Sequence, residues 1–193
     1  MAPPPIDTKT RCSWCGTDPV YVAYHDEVWG LPEYGAKELF AKLILDGAQA
    51  GLSWITILKR QEGYYNLFDG LDPEKMARYT DKRLDKILLD KRIIRNRLKV
   101  YAARTNARQY VRMAQEGIDF SEYLWAFVGG GPIVNTHKTR SDVPTTSPES
   151  DAMSKALKKQ GFKFVGSTIC YAFMQAVGMI NDHVVDCFRH QEV

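Results

Sequence analysis

The sequence predicts a mainly α-helical fold, and three observations carry that prediction. Apolar residues recur three and four apart through much of the chain, the spacing of amphipathic helices. Sustained alternation of apolar and polar residues is absent, so little or no sheet is expected. Helix start signals, among them Asp72-Pro73 and Ser150, precede periodic stretches.

In chain order, Met1 to Thr10 is polar and Pro-rich with no apolar h-region. It reads as a flexible tail rather than a signal peptide, which predicts a cytoplasmic protein. Residues 11–193 read as a single domain, with two helical lobes around a cleft. Leu39, Phe40, Leu43 and Ile44 mark a helix, and Gly47 and Gly51 bracket a break after it where side chains converge on that cleft. Asp72-Pro73 reads as a turn and the first residue of a short helix. Leu84, Ile87 and Leu88 mark another helix, and a long one follows Arg95 with Leu98, Tyr101, Ala102 and Tyr110 on or near one face. The link from Asp90 to Arg95 makes this pair a candidate helix–hairpin–helix, whose backbone N–H groups can face a DNA phosphate. Such hairpins usually carry Gly for close approach; here Arg92 and Leu98 stand where it would help. Gly129 to Pro132 and Asn135 to Glu149 read as loops. Met153, Ala156 and Leu157 mark a last clear helix, capped by Ser150 and ending near Gly161.

A chain of 193 residues with 45% hydrophobic content can bury a core, and none of its apolar runs is long enough to cross a bilayer. The net charge of +3 says little, but its distribution says more. Residues 59–112 carry 15 Lys+Arg against 7 Asp+Glu, a net of +8, while the flanking segments are net acidic. Eight cations and no carboxylate fall between Lys91 and Arg112. That run fits either a phosphate footprint or a solvated helix face.

Cys12 and Cys15 form a C-x-x-C pair, and His183 and Cys187 stand four apart, the spacing that puts two ligands on one helix face. Two zinc sets compete: Cys12, Cys15, His183 and Cys187, favoured by simple spacing, or Cys12, His25, His183 and Cys187. The alternative is four buried thiols and ordinary histidines. Either set would tie the N-terminal segment to a C-terminal helix, and four protein ligands leave no water to activate, so the role would be structural.

Trp14, Tyr21, Tyr24, Trp29 and Trp54 crowd the first third of the chain near Asp46. Such rings are often core. Collectively, rings beside a carboxylate suit a flat, cationic aromatic ligand, through cation–π attraction and charge-assisted hydrogen bonds.

Several runs together resemble the bacterial DNA-3-methyladenine glycosylase I family of base excision repair. They are Tyr24-His25-Asp26 with Trp29-Gly30, Gln49-Ala50-Gly51-Leu52-Ser53-Trp54, Ile93-Ile94-Arg95, Gly161-Phe162-Lys163-Phe164-Val165-Gly166 and Asn181-Asp182-His183. The resemblance runs from about Arg11 to Cys187. It implies a helix–hairpin–helix glycosylase and a structural zinc on Cys12, His25, His183 and Cys187, without Cys15. It also implies a base pocket of Trp14, Tyr21, Tyr24, Trp29, Asp46 and Trp54, with Asp46, Tyr24 and Trp54 nearest the chemistry. Gly51, Leu52 and Arg95 are then the DNA contacts, with Leu52 probing the duplex beside the flipped nucleotide. Three positions depart from the family pattern: Asp46 replaces a Glu, Ala48 a Gln and Val28 a Glu.

The implied activity is hydrolysis of the N-glycosidic bond of 3-methyladenine in alkylated double-stranded DNA by a monomer, releasing the free base. Two other readings compete: a zinc-stapled protein that binds lesions without cutting, and a metallohydrolase with a catalytic zinc.

Overall fold

The computed structural model describes residues 8–193. Of the tail expected over residues 1–10, residues 1–7 lie outside the described residues, and residues 8–10 are exposed without regular structure. Ten α-helices follow among the described residues: α1 (Pro19–Glu27), α2 (Ala36–Gln49), α3 (Trp54–Leu58), α4 (Gln61–Leu67), α5 (Pro73–Ala77), α6 (Asp81–Leu88), α7 (Arg97–Gln115), α8 (Phe120–Trp125), α9 (Pro148–Lys159) and α10 (Ser167–Ala176). The expected scarcity of sheet holds. Two parallel two-residue strands, β1 (Ile133–Val134) and β2 (Ile180–Asn181), pair Ile133 with Ile180. Among the described residues no helix is long and apolar enough to cross a membrane.

Local chemistry explains most helix starts. Asp72 caps α5 by accepting from Lys75 N–H, with Pro73 in the first turn, as the sequence predicts. Asp18, Thr80, Asn96 and Asp119 cap α1, α6, α7 and α8 in the same way. The start of α9 differs from expectation. Its N-cap is Ser147, not Ser150, because Pro148 favours the first helical position; Ser150 is the reciprocal partner in a capping box. The preceding loop therefore ends at Ser147 rather than Glu149, and it contains a 3-10 turn at Arg140–Asp142.

Two further expectations need correction. Gly47 lies inside α2, so the break falls at Ala50 to Ser53 alone, where Gly51 takes φ +77, a conformation that favours glycine. On α7, Ala102 and Tyr110 are buried, but Leu98 is 72% exposed. Leu98 falls in the first turn, beyond the surface that α7 buries through Val100, Ala103, Ala107 and Met113.

Helices α2, α7 and α10 supply much of the core, which includes fully buried Phe40 and Phe173. Helix α2 packs against α3, α7 and α10, α5 against α7, and α9 against α10. The segment 89–96 lies between α6 and α7 and is fixed by α4. Tyr64 Oη accepts from Ile94 N–H at 3.2 Å, and a Cβ on Gly63 would stand 2.5 Å from the Arg92 carbonyl oxygen. The absence of a side chain at Gly63 thus lets α4 pack closely against this segment.

The C-terminus of α2 is held from α7. Lys99 Nζ donates to the carbonyls of Ala48 at 2.8 Å and Ala50 at 2.6 Å, satisfying acceptors that the helix end leaves open. Lys99→Met should lower unfolding free energy by about 1–2 kcal/mol, the scale of lost charge-assisted bonds. A shift of the urea midpoint at constant slope would report it, and an unchanged midpoint would refute it.

Candidate functional site

The chain from Cys12 to Trp54 wraps around one cleft of about 420 Å³. All six residues expected for a base pocket line it: Trp14, Tyr21, Tyr24, Trp29, Asp46 and Trp54. Local structure puts them there. Tyr21 and Tyr24 fall three apart on α1, Asp46 is on the last turns of α2, and Trp54 is the first residue of α3 after the Gly51 turn. Lys59 on the adjoining turn reaches Asp18 at 2.5 Å and ties α3 to the start of α1.

The rings meet tilted or edge-on. Trp14 sits 5.0 Å from Tyr21 and 4.9 Å from Trp29, and Tyr24 is 5.4 Å from Trp54. Burial raises the Tyr24 phenol well above its ordinary value, so it stays neutral.

Asp46 is buried, as is most of its partner Lys42, one turn earlier on α2. Lys42 Nζ pairs with Asp46 Oδ1 and stands 4.0 Å from the centre of the Trp54 ring. Burial pushes Asp46 up and Lys42 down, and their mutual attraction opposes both shifts. Asp46 Oδ2 and Trp54 Nε1, both buried, have no hydrogen-bond partner among the described residues. An unpaired buried acceptor and an unpaired buried donor therefore border the cleft beside its aromatic rings.

Sequence reasoning missed Lys42, although its spacing from Asp46 on an apolar helix was legible. It also missed the far wall. Arg140 and Thr145 come from a segment read only as a loop, and Tyr171, Gln175 and Asp182 come from α10 and its sequel. Asp182 is buried and accepts from Tyr171 Oη at 2.6 Å, Gln175 Nε2 at 2.8 Å and Asn135 Nδ2 at 2.7 Å, so its oxygens are engaged in holding that wall.

Behind the rings, Cys12, His25, His183 and Cys187 converge, all buried, with one ligand atom from each within 4.8 Å of the others. The separations are 3.6 Å for Cys12 Sγ to His183 Nδ1, 3.4 Å for Cys187 Sγ to His183 Nδ1 and 3.4 Å for Cys187 Sγ to His25 Nε2. This group could hold a metal ion. Cys15 is outside it, with its thiol on the Cys12 carbonyl at 3.2 Å, so the set favoured by simple spacing is not the one assembled. The expected C-terminal helix is also absent. His183 and Cys187 meet across a turn closed by Cys187 N–H to the Val184 carbonyl at 2.8 Å, and Asn181 Oδ1 holds the His183 N–H.

The other ring nitrogens are occupied. His25 Nδ1 meets Asp26 Oδ1 at 2.8 Å, and Arg11 clamps that carboxylate through Nε and Nη2. Although burial raises Asp26, hydrogen bonds from Arg11 and His25 hold it below the usual carboxylate range. His183 Nε2 lies 3.2 Å from the Trp29 carbonyl, and its ring packs edge-on to Trp29 at 4.6 Å. The cluster and the cleft thus share a wall.

The residues expected to touch DNA divide differently. Gly51 and Leu52 project on the turn after α2, with Leu52 40% exposed, and Arg95 is exposed on the 89–96 segment. Six of the eight cations between Lys91 and Arg112 are bonded within the protein. Arg92 binds Asp90, Arg97 binds Asp85, Lys99 caps α2, and Arg104, Arg108 and Arg112 reach carbonyls of Tyr79, Ala77 and Gln160. Much of the basic run therefore fastens α7 to its neighbours, and Lys91 and Arg95 make no such bond among the described residues.

With this geometry in view, the chain was compared with known proteins. The family model for methyladenine glycosylase matches residues 14–190. The chain belongs to the methyladenine glycosylase family. As a glycosylase it is an enzyme that acts on N-glycosyl bonds. It is 51% identical over 177 residues to DNA-3-methyladenine glycosylase 1 of Escherichia coli strain K12, covering 92% of this chain and 95% of that protein. A crystal structure of 3-methyladenine DNA glycosylase I superposes with a TM-score of 0.92 at 47% identity, covering 93% of this chain and 98% of that one. A 3-methyladenine DNA glycosylase I from Staphylococcus aureus, solved to show 3-methyladenine recognition, matches with a TM-score of 0.89 at 38% identity, covering 92% and 95%.

Within this glycosylase the three departures noted in the sequence take different places. Asp46 is in the cleft, Ala48 is buried with its carbonyl on Lys99, and Val28 is 51% exposed at the surface. Only the first lines this cleft.

Proposed function

We propose that this glycosylase hydrolyses the N-glycosidic bond of 3-methyladenine in alkylated double-stranded DNA, after the base is flipped into the cleft. One observation carries the reading: a ring-lined cavity bordered by a buried carboxylate with one oxygen unpaired among the described residues, in a chain 51% identical to an enzyme of that name. Residues 11–193 act as one domain with helical lobes around the cleft, and the protein works as a monomer.

N3-methylation leaves the base positively charged, so it departs readily. Flipping costs a few kcal/mol, which contacts in the pocket must offset. Trp54 and Tyr24 abut the purine, and Asp46 Oδ2 accepts from its N–H groups. Water attacks C1′ as the bond to the base nitrogen breaks. The bonding pair neutralises the base, which leaves as free 3-methyladenine, and the proton of the water passes to solvent. Asp46 recognises the base rather than serving as a general base, and unmodified adenine, being uncharged, gains less from the cleft. Leu52 on its exposed turn probes the duplex beside the extruded nucleotide. The α6–α7 pair acts as a helix–hairpin–helix, with Arg95 and Lys91 meeting backbone phosphate.

The Cys/His group supports a zinc site. Ligands at about 2.0–2.3 Å from a tetrahedral ion lie roughly 3.5 Å apart, close to the 3.4–3.6 Å separations here. The second nitrogens are oriented by Asp26 and the Trp29 carbonyl, as zinc-bound histidines usually are. Bound there, zinc supplies a cross-link between chain ends and takes no part in the reaction.

Incubation with methylated and unmodified duplex tests the activity. Abasic sites should accumulate in methylated DNA alone. Tight binding without abasic sites would instead establish the lesion-binding reading.

A further inference from the structure

We propose that Lys42 moderates the cleft's preference for a cationic base: its ammonium is a resident cation that holds Asp46 and the Trp54 face until a cationic base displaces it toward Glu38. This inference rests on the base-recognition reading above. Lys42 pairs with Asp46 and covers Trp54 at 4.0 Å, so it uses the same two groups that a charged base would use. A cationic ligand meets a like charge there and must move it. A neutral ligand of the same shape does not face that repulsion.

The structure provides somewhere for the ammonium to go. Tyr24, Lys42 and Trp54 also line a second cleft of about 620 Å³, on whose wall stand Glu27, Glu33 and Glu38. Glu38 lies one turn before Lys42 on α2, just as Asp46 lies one turn after it. Both carboxylates are therefore at helical i,i±4 spacing from Lys42, and rotation of one side chain carries its charge between them while the helix stays intact. Glu38 is exposed, so its charge is already solvated and ready to pair.

The test uses two probes: methylated duplex, read as single-turnover release of 3-methyladenine, and duplex carrying the uncharged isostere 3-deaza-3-methyladenine, read as affinity. Lys42→Met should speed release about ten-fold, the scale of one cation–π contact. Affinity for the isostere should stay within about two-fold, the scatter of uncoupled sites. Glu38→Gln should slow release about three-fold in the parent, the scale of an exposed ion pair, and should do nothing in the Lys42→Met background. Slower release from Lys42→Met, equal changes on both probes, or an equal effect of Glu38→Gln in both backgrounds would overturn the proposal. If Lys42→Met fails to fold, the Glu38→Gln arm decides, and unchanged release refutes it. A parent protein that releases no base removes the base-recognition reading itself; a parent that releases base while the variants fail these tests removes only the role of Lys42.

Discussion

Replacing Cys187 by Ala should abolish metal binding and strip several kcal/mol from the stability of the fold. Cys12 and His183 are 171 residues apart in sequence, yet their ligand atoms are 3.6 Å apart. A cross-link over so long a loop removes about 4–5 kcal/mol of unfolded-state entropy by the measure used for disulfides. For a chain of this size that corresponds to a melting temperature lower by roughly 10–15 °C. The damage should reach the cleft, because His183 packs against Trp29 and meets its carbonyl. Elemental analysis should find one zinc per parent chain and none in the variant. A variant that lacks metal and melts with the parent would show that the four residues are not a staple.

Replacing Asp46 by Asn should have the largest effect on catalysis without a comparable effect on folding. Two losses act in the same direction. An anionic acceptor becomes a neutral amide, which costs about 1.5–3 kcal/mol of charged hydrogen bonding, or roughly ten- to a hundred-fold in kcat/KM. In addition, the Lys42 charge, no longer neutralised, faces an incoming cation. Asp46→Glu keeps the charge and lengthens the reach, so its excision should match or exceed that of the parent. A thermal melt of each variant separates activity from stability. An Asn variant as active as the parent would remove Asp46 from base recognition.

How much of this was legible in the sequence depended on whether the signal was local. Helix periodicity and caps are local, and α2, α5, α6, α7 and α9 were legible from them, whereas α10 was not. Ser150 was misread because Ser147-Pro148 offered an equally local start that fixes φ at the first helical position. Leu98 looked like a core residue because apolarity does not say where a buried stripe ends. The spacing of His183 and Cys187 suggested a helix, but a turn held by Asn181 and the Val184 carbonyl brings the two side chains together equally well.

Long-range chemistry was harder to read. Spacing favoured Cys15 over His25, whereas the packing of α1 against the C-terminal segment puts His25 with the other three. The basic run looked like a nucleic-acid surface because composition cannot show that Arg104, Arg108 and Arg112 turn back onto carbonyls of their own fold. Lys42 stayed hidden for a related reason. A cation on a mostly apolar helix reads as a surface residue until the helix is seen to border a cleft on that side.

The identity of the bases freed from methylated duplex DNA is the most direct measurement of all. An anionic, aromatic cavity selecting by charge and shape should yield chiefly 3-methyladenine, leaving abasic sites in uncut strands. Release of 7-methylguanine in proportion to its abundance, or no release from folded, metal-loaded protein, would contradict recognition by this cleft.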